Sequence, residues 1–179
     1  MKDFSGAFSF TDQLGEFGQN PNKLPPIQDW NPELSGDMDM TIKADGSWVH
    51  EGDIIERKKL VKLFSSILKK EGDDYFLVTP VEKWRIQVDT TPFTIVLAQV
   101  DTQASSQSVS LMTNVGDEIT LDNLHKLQVS AKGAPLIEIR DGLNAQLNRN
   151  VYYQLAELAH ENASGEFIFT SNGTEQQIG

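Results

Sequence analysis

Hydrophobic and polar positions along this chain alternate in two rhythms. From residue 38 to residue 43 the apolar Met38, Met40 and Ile42 are interleaved with Asp39, Thr41 and Lys43, the period-two signature of a half-buried strand. Asp45-Gly46 follows as a favoured two-residue turn, a register that sets Val49 opposite Ile42 and Trp48 opposite Lys43. Trp48 then falls on the face away from Met40 and Ile42, where it either packs against another domain or lines a ligand groove. After Arg57 the period lengthens: Leu60, Val61, Phe64, Ile67 and Leu68 trace one stripe of an amphipathic helix over 57–71. Tyr75 to Thr79 reads as a short strand.

The same order returns near the C-terminus as Ile137 to Gly142, then a helix from Arg149 to His160, then Phe167 to Thr170. Val151, Tyr152, Leu155, Leu158 and Ala159 match the first stripe at one constant offset, and Phe76 to Thr79 match Phe167 to Thr170 at that same offset. Each stripe must be covered, because burying one large apolar side chain stabilises by roughly 1.5 to 3 kcal/mol. The expectation is therefore an α+β chain of two similar antiparallel-sheet-plus-helix units, an internal duplication; chance recurrence of strand, helix, strand is the alternative. A tail occupies 1–24, with Phe4, Phe8, Phe10 and Phe17 as rings that could dock; the repeats occupy 25–80 and 81–179. Pro25-Pro26 and Trp30-Asn31-Pro32 form an extended entry, with Trp30 pinning it to the first repeat.

In the second half, Val81 to Val88 sorts Trp84, Ile86 and Val88 onto one face, and Asp89-Thr90-Thr91-Pro92 is a turn marking a domain boundary. Phe93 to Val100 is apolar on both faces, as in a covered central strand. Short strands at Val109 to Thr113, Glu118 to Leu121 and His125 to Ser130 then suggest a curled sheet or partial barrel closed by the last helix. At Asp141-Gly142 a three-residue loop, pairing Arg140 with Asn144 and Ile139 with Ala145, keeps apolar opposite apolar. It puts Glu138, Arg140, Asn144 and Gln146 on one polar face leading to Arg149.

Composition narrows the function classes. The net charge of −11 over 179 residues argues against bulk nucleic-acid binding, which needs a broad basic footprint to displace counterions. The absence of cysteine excludes disulfides, thiolate metal sites and a cysteine nucleophile. No apolar run approaches a membrane span and no basic-then-apolar leader begins the chain, so a bacterial cytoplasmic protein is expected. His50, His125 and His160 are scattered without metal-motif spacing; His125 shares the apolar face of Leu127 and Val129 and reads as a structural strand-end residue. Neither a phosphate-binding Gly-rich loop nor a nucleophile elbow occurs, so no catalytic constellation, metal or cofactor is expected.

Arg57, Lys58 and Lys59 open the first helix against its dipole. Either Asp53, Glu51 or Glu56 pairs with Arg57, or an anion binds there. The segments Gly36 to Met40 with Asp45 to Trp48, Arg57 through Phe64, Leu77 to Lys83, Thr91 to Phe93, Thr113 to Val115 and Arg140 to Ala145 resemble the bacterial family called domain of unknown function 1285. The resemblance covers nearly everything from Pro25 to His160. It implies a duplicated two-domain core whose C-terminal domain is similar to pleckstrin-homology folds, a ligand site at the domain interface for something nucleotide-like, and a signalling role; it carries no activity. Asn148 stands where the aligned first copy has Arg57, which departs from a symmetric site. The four arginines, Arg57, Arg85, Arg140 and Arg149, suit planar or phosphate anions. With Trp48, Glu82, Lys83, Asn114, Asn144 and Tyr152 they are expected to line an interdomain cleft for a small phosphorylated or nucleotide-like ligand. In the rival reading the arginines pair with Glu82, Glu138 and Asp141 as structural links, and the chain is a protein-interaction module for a signalling partner.

Overall fold

The computed structural model describes residues 12–20, 23–103 and 105–179; Phe4, Phe8 and Phe10 lie outside them. The chain divides into two compact units between Thr90 and Thr91, not after Pro80. Strand pairing is the reason, since the last strand before that point belongs to the middle of the first sheet.

The first unit comprises β1 (Gly36–Ile42), β2 (Trp48–His50), β3 (Asp53–Ile54), α1 (Lys58–Ser66), β4 (Leu68–Glu71), β5 (Asp74–Val78) and β6 (Lys83–Val88), in the sheet order β3-β2-β1-β6-β5-β4. The second begins with β7 (Phe93–Asp101), β8 (Ser108–Thr113), β9 (Glu118–Thr120), β10 (Leu127–Val129), β11 (Pro135–Arg140) and β12 (Leu143–Leu147), in the order β10-β11-β12-β7-β8-β9. Read from the centre outwards, both sheets run as one meander out, a crossing to the far edge, and a second meander back. The central pair is parallel in each, β1 with β6 and β12 with β7, and the remaining neighbours are antiparallel. The fold is thus α+β with two similar six-stranded units.

The equivalent parts differ from those the helix stripes suggest. Strand for strand, β1–β6 correspond to β7–β12, and α1 lies in the crossing from β3 to β4. The second helix, α2 (Arg149–Ala156), instead follows β12 and packs on β7. The Asp-Gly turns also differ in place: one joins the first two strands of its sheet, the other the last two.

The crossings explain why the second sheet curls into a half-barrel. A flat six-stranded sheet spans roughly 24 Å between its edge strands. From β9 to β10 the chain has only the loop 121–126, shortened by a turn in which Asp122 N donates to His125 O at 3.1 Å, so the edges must approach. This loop has no helix to satisfy its backbone. The sheet β13 (His160–Glu161), β14 (Phe167–Ser171) and β15 (Thr174–Gln177) does so instead. Ser171 Oγ and Asn172 Nδ2 donate to Leu121 O at 2.7 and 2.9 Å, Gln176 Nε2 donates to Asp122 O at 3.2 Å, and Gln176 Oε1 accepts from Leu127 N at 3.0 Å. Ser171 and Gln176 are fully buried, as polar groups with complete partners can be.

Local chemistry accounts for the remaining differences. At Asp45-Gly46 the loop holds three residues: Lys43 N donates to Ser47 O and Gly46, at φ +87°, closes a bulge. The register becomes Ile42 with Trp48 and Thr41 with Val49. That single-residue shift turns Trp48 onto the core face, where it is 1% exposed and stacks on Phe64 at 6.1 Å. At Asp141-Gly142 the reverse holds. The loop has two residues, Asp141 and Gly142 both at positive φ, and a bulge between Glu138 and Arg140 restores Ile137 opposite Ala145; Arg140 faces Leu143, not Asn144.

Both helices are shorter than their stripes. Ile67 N donates to Phe64 O in a tightened last turn, and Leu68 pairs with Leu77, so Lys69 and Lys70 are strand residues rather than a helix end. Likewise α2 stops at Ala156, and His160 begins β13. His125 is a turn residue, its Nδ1 at 3.1 Å from Asp122 Oδ1, rather than a member of a strand with Leu127.

Candidate functional site

The predicted site residues separate by unit. In the first lie Trp48, Arg57, Glu82, Lys83 and Arg85; in the second lie Asn114, Arg140, Asn144, Arg149 and Tyr152.

Lys83 and Arg85 are brought together. They alternate along β6 on the face that carries Phe76 of β5, because Phe76 pairs with Arg85 and Val78 with Lys83. Lys69 of β4 pairs with Phe76 and joins them. Lys83 Nζ lies 4.5 Å from the Phe76 ring centroid and the Arg85 guanidinium 5.9 Å, a floor whose π face favours cations. Glu71 is the close counter-charge: it bonds Lys83 Nζ and stands 3.4 Å from Lys69 Nζ. The Lys83 hydrogen bond holds the Glu71 carboxyl below the usual glutamate range, against the opposing effect of burial. Arg85 is less well served. Its Nε is buried with no hydrogen-bond partner, and Asp37 Oδ1, on the neighbouring strand, stands 3.6 Å away.

Other candidates have structural duties. Trp48 is core. Glu82 accepts from Gln13 Nε2 at 3.0 Å. Asn114 Oδ1 accepts from Thr94 N at 3.1 Å, fixing the β8–β9 turn to β7. Arg140 donates to Asp117 Oδ2 at 2.7 Å and covers Phe93 with its guanidinium 4.9 Å from the ring. Asn144 faces Glu138 across the hairpin, and Glu138 Oε1 accepts from Gly142 N at 2.8 Å. The partners expected for the arginines, Glu82, Glu138 and Asp141, are thus replaced by Asp37 and Asp117. Arg57 and Arg149 are exposed at the starts of α1 and α2. Asn148, not an arginine, caps α2, its Oδ1 accepting from Val151 N at 2.8 Å. Tyr152 meets Tyr153 edge-on at 5.7 Å on the α2 surface. Among the described residues no group of histidines or carboxylates could hold a metal ion, and no helix is long and apolar enough to cross a membrane.

Family models decide the kinship. The N-terminal domain of the domain of unknown function DUF1285 matches residues 25–91, and the C-terminal domain of that protein of unknown function matches 92–178. The chain belongs to the DUF1285 family. A crystal structure of a DUF1285 protein from Silicibacter pomeroyi DSS-3 is 38% identical, with a TM-score of 0.77 over 87% of each chain. One from Shewanella baltica OS155 is 29% identical with a TM-score of 0.54, covering 67% of this chain and 91% of the other. No curated protein matches.

The two DUF1285 domains meet at 91/92, within one residue of the division by internal contacts. Of the motif residues that carried the resemblance, Thr79 is wholly buried, its Oγ1 accepting from Glu82 N at 3.0 Å and from Val81 N at 3.3 Å. Thr79-Pro80-Val81-Glu82-Lys83 is therefore first a turn, one that delivers Lys83 to the Phe76 face. Sequence reasoning missed Lys69, Glu71, Asp37 and Phe76 on that face. Gly72-Asp73 held the signal for two of them, since a two-residue hairpin turn there makes Lys69 the cross-strand partner of Phe76 and puts Glu71, opposite Asp74, on the same face.

Proposed function

We propose that this DUF1285 chain is a non-catalytic ligand-sensing module for a small phosphorylated or nucleotide-like molecule, with Lys83 and Arg85 as its anion contacts and Phe76 as their floor. Arg85 carries the reading. Its side chain keeps 42% of its exposure while its Nε, in a loose ion pair with Asp37 Oδ1 at 3.6 Å, makes no hydrogen bond, so the guanidinium has no closely bonded counter-charge of the kind Glu71 gives Lys83. A phosphate supplies two oxygens to one guanidinium fork. The test is a thermal-shift screen against nucleotides, cyclic dinucleotides and alarmones. A ligand at a hundred times its Kd adds about 2.7 kcal/mol of stability, and Arg85→Ala removes that shift. Absence of any shift across the screen rejects the reading.

A protein-interaction module is the second reading, favoured by the outer face of the second unit. A bulge at Val96 leaves Val96 and Leu97 each 43% exposed, beside a shallow pocket of about 90 Å³ lined by Leu97, Gln99, Ser110 and Met112. In that case Leu97→Glu abolishes capture of a purified partner while Arg85→Ala leaves it intact.

A further inference from the structure

We propose that Asn172 is a self-modifying residue, whose side-chain amide is lost to attack by the following glycine at a rate gated by opening of the C-terminal hairpin, and whose conversion unlatches the crossing loop of the second unit. Of the chain's asparagines only Asn172 precedes glycine, and a residue without Cβ lets its backbone nitrogen approach a neighbouring side chain most closely. The chemistry needs only water. Gly173 N bonds to Asn172 Cγ, the Cγ–Nδ2 bond breaks, and that nitrogen leaves as ammonia with the Gly173 proton. Water then opens the cyclic imide at Cγ, giving aspartate, or at the main-chain carbonyl, giving isoaspartate, whose backbone runs through Cβ and Cγ.

Asn172-Gly173 is the two-residue loop between β14 and β15, both residues at positive φ, +49° and +71°, with Ser171 paired to Thr174. Asparagine and aspartate both tolerate that conformation, so aspartate keeps the turn. What it loses is a donor. Asn172 Nδ2 donates to Leu121 O at 2.9 Å and lies 3.3 Å from Ser108 Oγ, so deamidation sets a carboxylate against a carbonyl at the start of the loop 121–126. Isoaspartate goes further, because its added backbone atom takes Ser171 and Gln176, both buried and bonded to the ends of that loop, out of register. The folded hairpin holds the reaction back. Attack requires Cγ to swing toward Gly173 N, yet the amide is held by Leu121 O and the backbone N–H by Gln107 O at 2.8 Å. Gln107 Nε2 in turn donates to Thr170 O at 2.7 Å. The amide is therefore free to react only when the hairpin opens locally, and loss of ammonia makes the change irreversible.

Peptide mapping by mass spectrometry tests this on the full chain, incubated at mildly alkaline pH either folded or unfolded in guanidinium chloride. Unfolded, Asn172 should convert faster than any other asparagine; folded, it should convert at least about tenfold more slowly, the factor for about two hydrogen bonds closed against opening. Ser171→Ala removes a neighbouring anchor without touching the amide, and should speed conversion in the folded chain severalfold while leaving the unfolded rate unchanged. If that variant does not fold, Gln107→Ala takes its place. Asn172→Asp, made directly, should melt about 4 to 8 °C below the native chain, the loss of about one hydrogen bond in a unit of this size. No conversion in guanidinium chloride overturns the modification site. Equal folded and unfolded rates, or no acceleration in the anchor variant, overturn the gating, and an unchanged melting temperature for Asn172→Asp overturns the unlatching.

Discussion

Trp48 offers the sharpest test of how the first unit is built. In the observed register it lies inside, 1% exposed and stacked on Phe64; in the two-residue-loop register it would lie on the opposite face. A buried tryptophan removes about 200 Å² from water, worth about 5 kcal/mol at 25 cal/mol per Å². Its stack on Phe64 adds about 0.5 to 1.5 kcal/mol. Against this, its Nε1 is buried without a hydrogen-bond partner, which costs about 1 to 3 kcal/mol. Trp48→Ala should therefore destabilise by about 3 to 5 kcal/mol, within the range for large aromatic truncations. Trp48→Phe keeps the stack and removes the orphan donor, so its cost should be about 1 kcal/mol or less. Urea unfolding followed by circular dichroism measures both. At about 4 to 8 °C per kcal/mol for a unit of this size, the alanine variant should also melt more than about 12 °C lower. A cost below about 1 kcal/mol for Trp48→Ala would refute the three-residue loop. Equal costs for the two variants would refute the argument from the unsatisfied indole.

Other consequences are simpler to state. Asn148→Ala should cost about 1 kcal/mol by uncapping α2, with Asn148→Asp near neutral by the same denaturation assay. Ser171→Ala leaves Leu121 O and Val109 N without a partner they now have and should cost about 1 to 3 kcal/mol, more than Ser164→Ala on an exposed turn. A double-mutant cycle on Arg140→Met and Asp117→Asn should return a coupling of about 0.5 to 3 kcal/mol, and a value near zero would make that pair incidental. Because the Glu71 carboxyl titrates below its unfolded value of about 4.3, its contribution is present above that pH and fades as pH falls through the lower folded value. The stability gap between the native chain and Glu71→Gln should thus be constant from pH 7 to about pH 5 and close on further acidification.

Periodicity alone located most strands, both helix stripes and the boundary turn, because each depends on spacing within a few residues; two similar units were expected as well, but from a match between helices that are not equivalent. Asp45-Gly46 and Asp141-Gly142 were legible as turns for the same reason. Their loop lengths were not. One residue more or less is decided by which side chains the core accepts, and it carried Trp48 inward and set Arg140 against Leu143. The pairing of copies was likewise out of reach, since two helices with similar stripes sit at different points of the two units. Only the long-range pairing of β1 with β6 and of β7 with β12 reveals the shared plan. The candidate site follows that logic. Lys83 and Arg85 could be named from their chemistry, yet Phe76, Glu71 and Lys69 joined them through cross-strand registers that no local pattern encodes. The hydrogen bonds of Gln13 to Thr79 and Glu82 join residues far apart in the chain, so they exist only once the sheet has set Thr79 and Glu82 in place.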